Sequence, residues 1–170
     1  MKKNFFTIAI VGILLLARAQ AGELQVGFAQ LSITPDIIDQ WVDVNDDAQF
    51  DPDIDLWTDV NGNGKFDAVW MAGFQNKRPA QGVKDNLMAV AVVIDDGKNR
   101  IGIVSVDTVG LMRKFVLGVR EAVPAEWGLD YLMVHATHNH EGPDTQVFGG
   151  QVFLAPALIL IIWSNYSKIF

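Results

Sequence analysis

The sequence predicts an α/β fold: a mixed sheet with a crossover helix, into which an acidic loop repeat is inserted. Two apolar, β-branched runs flank a tight turn at Asp96-Gly97, which is the pattern of a hairpin. A stretch with helical apolar spacing separates the second of those runs from a third, which is the pattern of a parallel crossover. Ahead of both, an eleven-residue motif occurs twice at an offset of 16 residues.

The chain begins with Lys2 and Lys3, then an apolar run over residues 5–17, then Ala19-Gln20-Ala21. A charged start, a short apolar stretch and a small-x-small end make a secretory signal peptide over residues 1–21, cut after Ala21. The run is shorter than a typical spanning helix, although an uncleaved anchor is the alternative. The expected location is secreted or periplasmic. Removing residues 1–21 leaves 10 basic against 20 acidic residues, a formal charge of −10. Such acidity disfavours binding to nucleic-acid phosphates. With 50% hydrophobic residues the chain is too apolar for wholesale disorder. It has no cysteine, so neither disulfides nor thiolate metal sites are available.

Residues 41–67 hold the repeat. Trp41-Val42-Asp43-Val44-Asn45-Asp46-Asp47-Ala48-Gln49-Phe50-Asp51 aligns with Trp57-Thr58-Asp59-Val60-Asn61-Gly62-Asn63-Gly64-Lys65-Phe66-Asp67. Oxygen-bearing side chains at alternate positions of a tight loop suit a hard cation such as calcium, which takes six to eight oxygens. The better loop comprises Asp59, Asn61, Asn63, Asp67 and the backbone carbonyl of Lys65. Gly64 stands in it where the sharp turn needs glycine. The weaker loop comprises Asp43, Asn45, Asp47 and Asp51, with Ala48 at the glycine position. The last ligand position of a complete EF-hand is Ile54 in one copy and Trp70 in the other, and Asp53 and Asp55 lie close enough in sequence to supply oxygens. The alternative is a solvated acidic hairpin whose Trp and Phe residues pack on the core.

From residue 87 onward the core elements follow. Residues 87–95 (LMAVAVVID) and 100–106 (RIGIVSV) predict the hairpin strands, joined by a loop of about five residues. Residues 112–123 (MRKFVLGVREAV) carry apolar side chains at helical spacing, and Pro124 ends the helix. Residues 129–136 (LDYLMVHA) predict a third, buried strand. Ligand sites in open α/β sheets gather beyond strand carboxyl ends, which directs attention to residues 137–145.

All three histidines fall there: His135, His138 and His140. In extended backbone, His138 and His140 face one side and can point at one centre, with Glu141 and Asp144 nearby. Neutral imidazoles suit zinc. The opposite parity and apolar setting of His135 predict a satisfied core histidine. Asp107 either joins the site, orients a histidine, or caps the helix that follows.

At these residues a resemblance emerges. Ala136-Thr137-His138-Asn139-His140-Glu141-Gly142-Pro143 resembles the A-T-H-T-H-S-G-P signature of the neutral/alkaline, non-lysosomal ceramidases. Residues 27–35 (GFAQLSITP), 72–85 (AGFQNKRPAQGVKD) and 103–111 (IVSVDTVGL) agree in order, and the acidic repeat leading into residues 69–74 looks like that of bacterial secreted relatives. The resemblance spans about residues 27–149. It implies a zinc amidase that splits ceramide into sphingosine and a fatty acid, with His138 as a zinc ligand and the catalytic His140 beside an N-acyl lipid or other amide substrate. Asn139 and Glu141 replace the Thr and Ser of the signature, and Lys84 stands where relatives commonly have His. The family's catalytic domain is several times longer, and its remaining ligands fall beyond this motif. Residues 22–150 therefore read as the N-terminal fragment of a larger catalytic domain. The alternative is a secreted calcium-stabilised binding or structural module that keeps the fold without the chemistry.

Residues 151–170 are atypical. The run VFLAPALILIIW over residues 152–163 has no charge and is shorter than a membrane span. It reads as a truncation or frameshift product, because the family pattern breaks off near Gly150; a buried terminal element and a tail in contact with a membrane surface are the alternatives.

Overall fold

The structure is a computed structural model and describes residues 22–73 and 77–146. The signal-peptide expectation and the apolar tail lie outside the described residues. In chain order the elements are β1 (Gln25–Ser32), β2 (Gln40–Val42), β3 (Leu56–Thr58), β4 (Met88–Asp95), β5 (Arg100–Val106), α1 (Arg113–Ala122), a 3₁₀ turn (Ala125–Trp127) and β6 (Tyr131–Ala136). The main sheet has the order β1-β4-β5-β6. Its first two pairings are antiparallel and the last, β5 with β6, is parallel across α1. The mixed α/β class, the hairpin and the crossover helix are those the sequence predicts.

Val and Ile fill β4 and β5 because branched side chains fit a pleated surface. Asp95 still pairs with Arg100, so the connecting loop has four residues rather than five. Gly97 takes φ +81° there, a left-handed conformation that costs glycine nothing. The Gly97 N–H, and then the Arg100 guanidinium, hold the Asp95 carboxyl below the usual carboxylate range. The N–H groups of Asn99 and Lys98 do the same for Asp96. Helix α1 stops because Pro124 excludes helical backbone at the residue before it, and Val123 is extended at ψ 124°.

The core lies on one face of the sheet. Ala29, Ala89 and Ala91 give β1 and β4 a shallow floor, while Val104, Val106, Leu132 and Val134 supply bulk beside Val119 of α1 and Trp127. Strand β6 corrects two expectations. It is buried on one side only, since Leu132 and Val134 alternate with exposed Tyr131 and Met133. His135 follows the exposed parity and stands outside the core.

The acidic repeat is an excursion from the sheet that leaves and returns at one place. The Ile33 N–H donates to the Leu87 carbonyl at 2.8 Å, and the Leu87 N–H donates to Thr34 Oγ1 at 2.8 Å. Within the excursion, β2 and β3 pair antiparallel with Trp41 opposite Trp57. No helix among the described residues is long and apolar enough to cross a membrane.

Candidate functional site

Two neighbouring constructions hold the candidate residues, the paired acidic loops and the histidine turn. Each loop winds around its first carboxylate. Asp59 accepts the N–H groups of Gly62, Asn63 and Gly64, the shortest at 2.7 Å. Asp43 accepts those of Asp47 and Ala48, at 3.2 and 2.7 Å. The side-chain amides of Asn61 and Asn63 both converge on Asp67 Oδ2, at 2.7 and 2.6 Å. Asn61 Oδ1 and Asn63 Oδ1 each accept one backbone N–H, and a carbonyl oxygen has a second lone pair to offer. The donors gathered by the second loop are thus hard oxygens, the chemistry calcium takes. The first loop places Asn45 Nδ2 at 3.0 Å from Asp47 Oδ2, while Asp51 Oδ1 accepts the Asp53 N–H instead.

Two buried carboxylates join the loops, and each belongs to the opposite copy. Asp39, 1% exposed, accepts the N–H groups of Val60 and Asp67 at 2.9 and 2.7 Å. Asp55, 5% exposed, accepts those of Val44 and Asp51 at 3.0 and 2.7 Å. These pairs are equivalent at the repeat offset, so the clamps are reciprocal. Both Asp55 oxygens thus hold backbone, a role that the sequence does not announce. Asp39 was legible: Asp39-Gln40-Trp41 repeats as Asp55-Leu56-Trp57, two residues beyond the motif that begins at tryptophan. Between the loops Phe50 and Phe66 lie 4.1 Å apart, flanked by Trp41, Trp57 and Trp70. The aromatic residues therefore pack largely on one another.

The backbone repeats as well. Gly62 and Gly64 have φ +71° and +75°, and their counterparts Asp46 and Ala48 have +57° and +60°. Left-handed backbone is costly for a residue with a Cβ. Ala48→Gly is expected to raise stability by about 1 kcal/mol. Urea midpoints of the two proteins check this, and an unchanged or lower midpoint would show that Ala48 is not strained.

The histidine turn follows β6. Thr137 Oγ1 donates to Asp107 Oδ1, and Asp107 Oδ2 accepts the Met88 N–H, so this carboxylate ties three chain segments together. Helix α1 has no side-chain cap, so Asp107 does not cap it. His138 is left-handed at φ +64°, not extended, and the kink turns its ring toward the loop after β5. Its Nδ1 lies 2.8 Å from the Val109 carbonyl. A carbonyl only accepts, so Nδ1 carries a proton, which leaves Nε2 as the nitrogen that can meet other groups. His140 Nε2 stands 3.3 Å from His138 Nε2, with the ring centroids 4.8 Å apart at 75°. The two imidazoles thus converge as the sequence predicts, through a kink rather than strand parity. Of the nearby carboxylates, Glu141 reaches toward Arg78 at 3.8 Å and Asp144 accepts the Gln146 N–H. Among the described residues no group of three or more His, Asp or Glu side chains forms a metal-holding cluster.

The two constructions are strapped together. Ala72 donates its N–H to the Gly142 carbonyl at 2.9 Å, and Asp144 donates its N–H to the Trp70 carbonyl at 2.8 Å. Arg78 donates to the carbonyls of Ala72 and His140, both at 3.2 Å. Residues 70–72, which follow the second acidic loop, therefore form one wall of the histidine turn. The sequence contains this wall but no pattern that assigns it to the turn. Compared with known proteins, the chain matches no family model and no curated protein.

Proposed function

We propose that this chain supplies the histidine portion of a zinc-dependent amide hydrolase resembling the neutral ceramidases, acting outside the cytoplasm. The observation that carries the reading is the convergence of two imidazoles at 3.3 Å, in an A-T-H-N-H-E-G-P turn at the carboxyl edge of the sheet. His138 would hold zinc through Nε2, since its other nitrogen is committed to the Val109 carbonyl. Held there, zinc supplies Lewis-acid polarisation of an amide carbonyl and a water acidic enough to attack near neutral pH. His140 would hold or pass a proton beside the scissile amide, with N-acyl lipid as the substrate class. A catalytic zinc site uses three protein ligands, and further ligands would come from a longer catalytic domain of which this chain is the N-terminal part.

The test is metal content. In the longer protein that carries the remaining ligands, zinc competition against a chromophoric chelator is expected to give a bound ion, its loss in His138→Ala and its retention in His140→Ala. Equal zinc content in the wild type and His138→Ala would defeat the reading.

A second reading, a calcium-stabilised module without chemistry, is favoured by the oxygen set of Asp59, Asn61, Asn63 and Asp67 around the second loop. Calcium would then raise the melting temperature, with no amide hydrolysis in the presence of zinc. No thermal shift between calcium and chelator would remove calcium from both readings.

A further inference from the structure

The hairpin of β2 and β3 has an outward face, and it is aliphatic. Exposure alternates without a break over residues 38–44 and 54–60. Trp41, Trp57 and the clamp carboxylates Asp39 and Asp55 have the inward parity. Ile38, Val42, Val44, Ile54, Leu56 and Val60 have the outward one, and all six are exposed. Val42 stands opposite Leu56, and the Asp55 and Asp39 hydrogen bonds prolong the pairing to Val44 at one end and Val60 at the other. A ribbon packed on one face ordinarily turns polar residues to water on the other. The two copies depart from that rule alike. Trp41 and Trp57, equivalent in the repeat, face each other across the ribbon, so a local two-fold axis relates the copies. It matches Ile38 with Ile54, 45% and 46% exposed, and Val44 with Val60, 55% and 63% exposed. The six side chains are thus a patch rather than scattered exceptions, and such a patch marks an interaction surface.

We propose that this face binds a protein segment with aliphatic side chains at its centre and Lys or Arg at both ends. Charge selects that occupant. Residues 36–67 hold ten acidic residues against one basic, Lys65, a formal charge of −9. Exposed Asp36 lies beside one end of the patch, near Ile38 in sequence, and exposed Asp46 and Asp53 lie beside the other, near Val44 and Ile54. Such a rim repels anionic lipid headgroups and nucleic-acid phosphates. A second copy would set like charge against like. A basic rim on the partner turns the same charges into attraction and fixes its register, while the aliphatic centre excludes water. Residues 38–44 extend about 20 Å, room for a short extended segment.

The test titrates the peptide Lys-Lys-Leu-Val-Leu-Val-Leu-Lys-Lys into the full chain by calorimetry, with calcium present so that any ion in the loops is already counted. Val42→Thr with Leu56→Thr, which keeps strand propensity, is expected to weaken binding about tenfold. Val44→Thr with Ile54→Thr repeats the test on the neighbouring pair. Asp36→Asn with Asp53→Asn should weaken binding about threefold and flatten its salt dependence. Absence of binding to the wild type, or equal binding by the wild type and the threonine variants, would overturn the proposal. Equal affinity for a peptide with Gly and Ser at its centre would also overturn it, by reducing the face to bulk charge. Without peptide binding, dimers that Leu56→Thr dissolves would assign the face to a second copy, and retention on phosphatidylcholine vesicles would assign it to lipid.

Discussion

Asp39→Ala is expected to destabilise the protein by about 3–5 kcal/mol, because two backbone N–H groups lose a charged acceptor in a site closed to water. The acceptor is 1% exposed, so water cannot substitute without opening the hairpin. The distribution of the damage is more telling than its size. Asp39 binds Val60 and Asp67, so amide exchange should accelerate over residues 59–67, while residues 43–51, next to the mutation in sequence, keep most of their protection. Asp55→Ala should do the reverse. Loss of protection centred on the mutated copy's own loop would show that the clamps do not cross.

Truncating Phe50 should cost a similar amount, about 3–5 kcal/mol, the usual range for a buried Phe→Ala change. Its ring is 8% exposed, stacks on Phe66 at 4.1 Å and meets Trp41 edge-on at 6.1 Å. A double-mutant cycle with Phe66→Ala should return a coupling of about 0.5–1.5 kcal/mol, as aromatic pairs do. A single-mutant loss within about 0.5 kcal/mol, the size of an ordinary surface change, would mean that the aromatic cluster does not hold the loops.

The parts of the fold that were legible are those with long apolar runs or helical apolar spacing. Strands β4, β5 and β6 announce themselves as apolar runs rich in Val, Ile or Leu, and helix α1 by its apolar spacing. Strand β1 went unmarked because its inward positions are Gly27 and Ala29, whose small side chains suit a shallow floor and give little hydropathic contrast. Strands β2 and β3 have three residues each, too few for any period. His135 was misplaced for a related reason. Its neighbours in sequence are apolar, but alternate residues of a strand face opposite ways, and His135 shares the side of Tyr131 and Met133. In the histidine turn, the residue types were legible and the backbone was not. Nothing in Thr-His-Asn-His announces φ +64° at His138, which follows from the tertiary contact with Val109.

The crossed clamps have a consequence for how this segment can be inherited. A single sixteen-residue unit carries a carboxylate aimed at a loop it does not contain, and a loop whose own carboxylate lies elsewhere. Deleting either copy would orphan the acceptor that remains and the two N–H groups that the deleted carboxylate held. The pair is therefore the smallest heritable module. Substitutions at Asp39 should be tolerated only alongside changes near Val60 and Asp67, and never compensated from the neighbouring loop that Asp39 precedes in sequence.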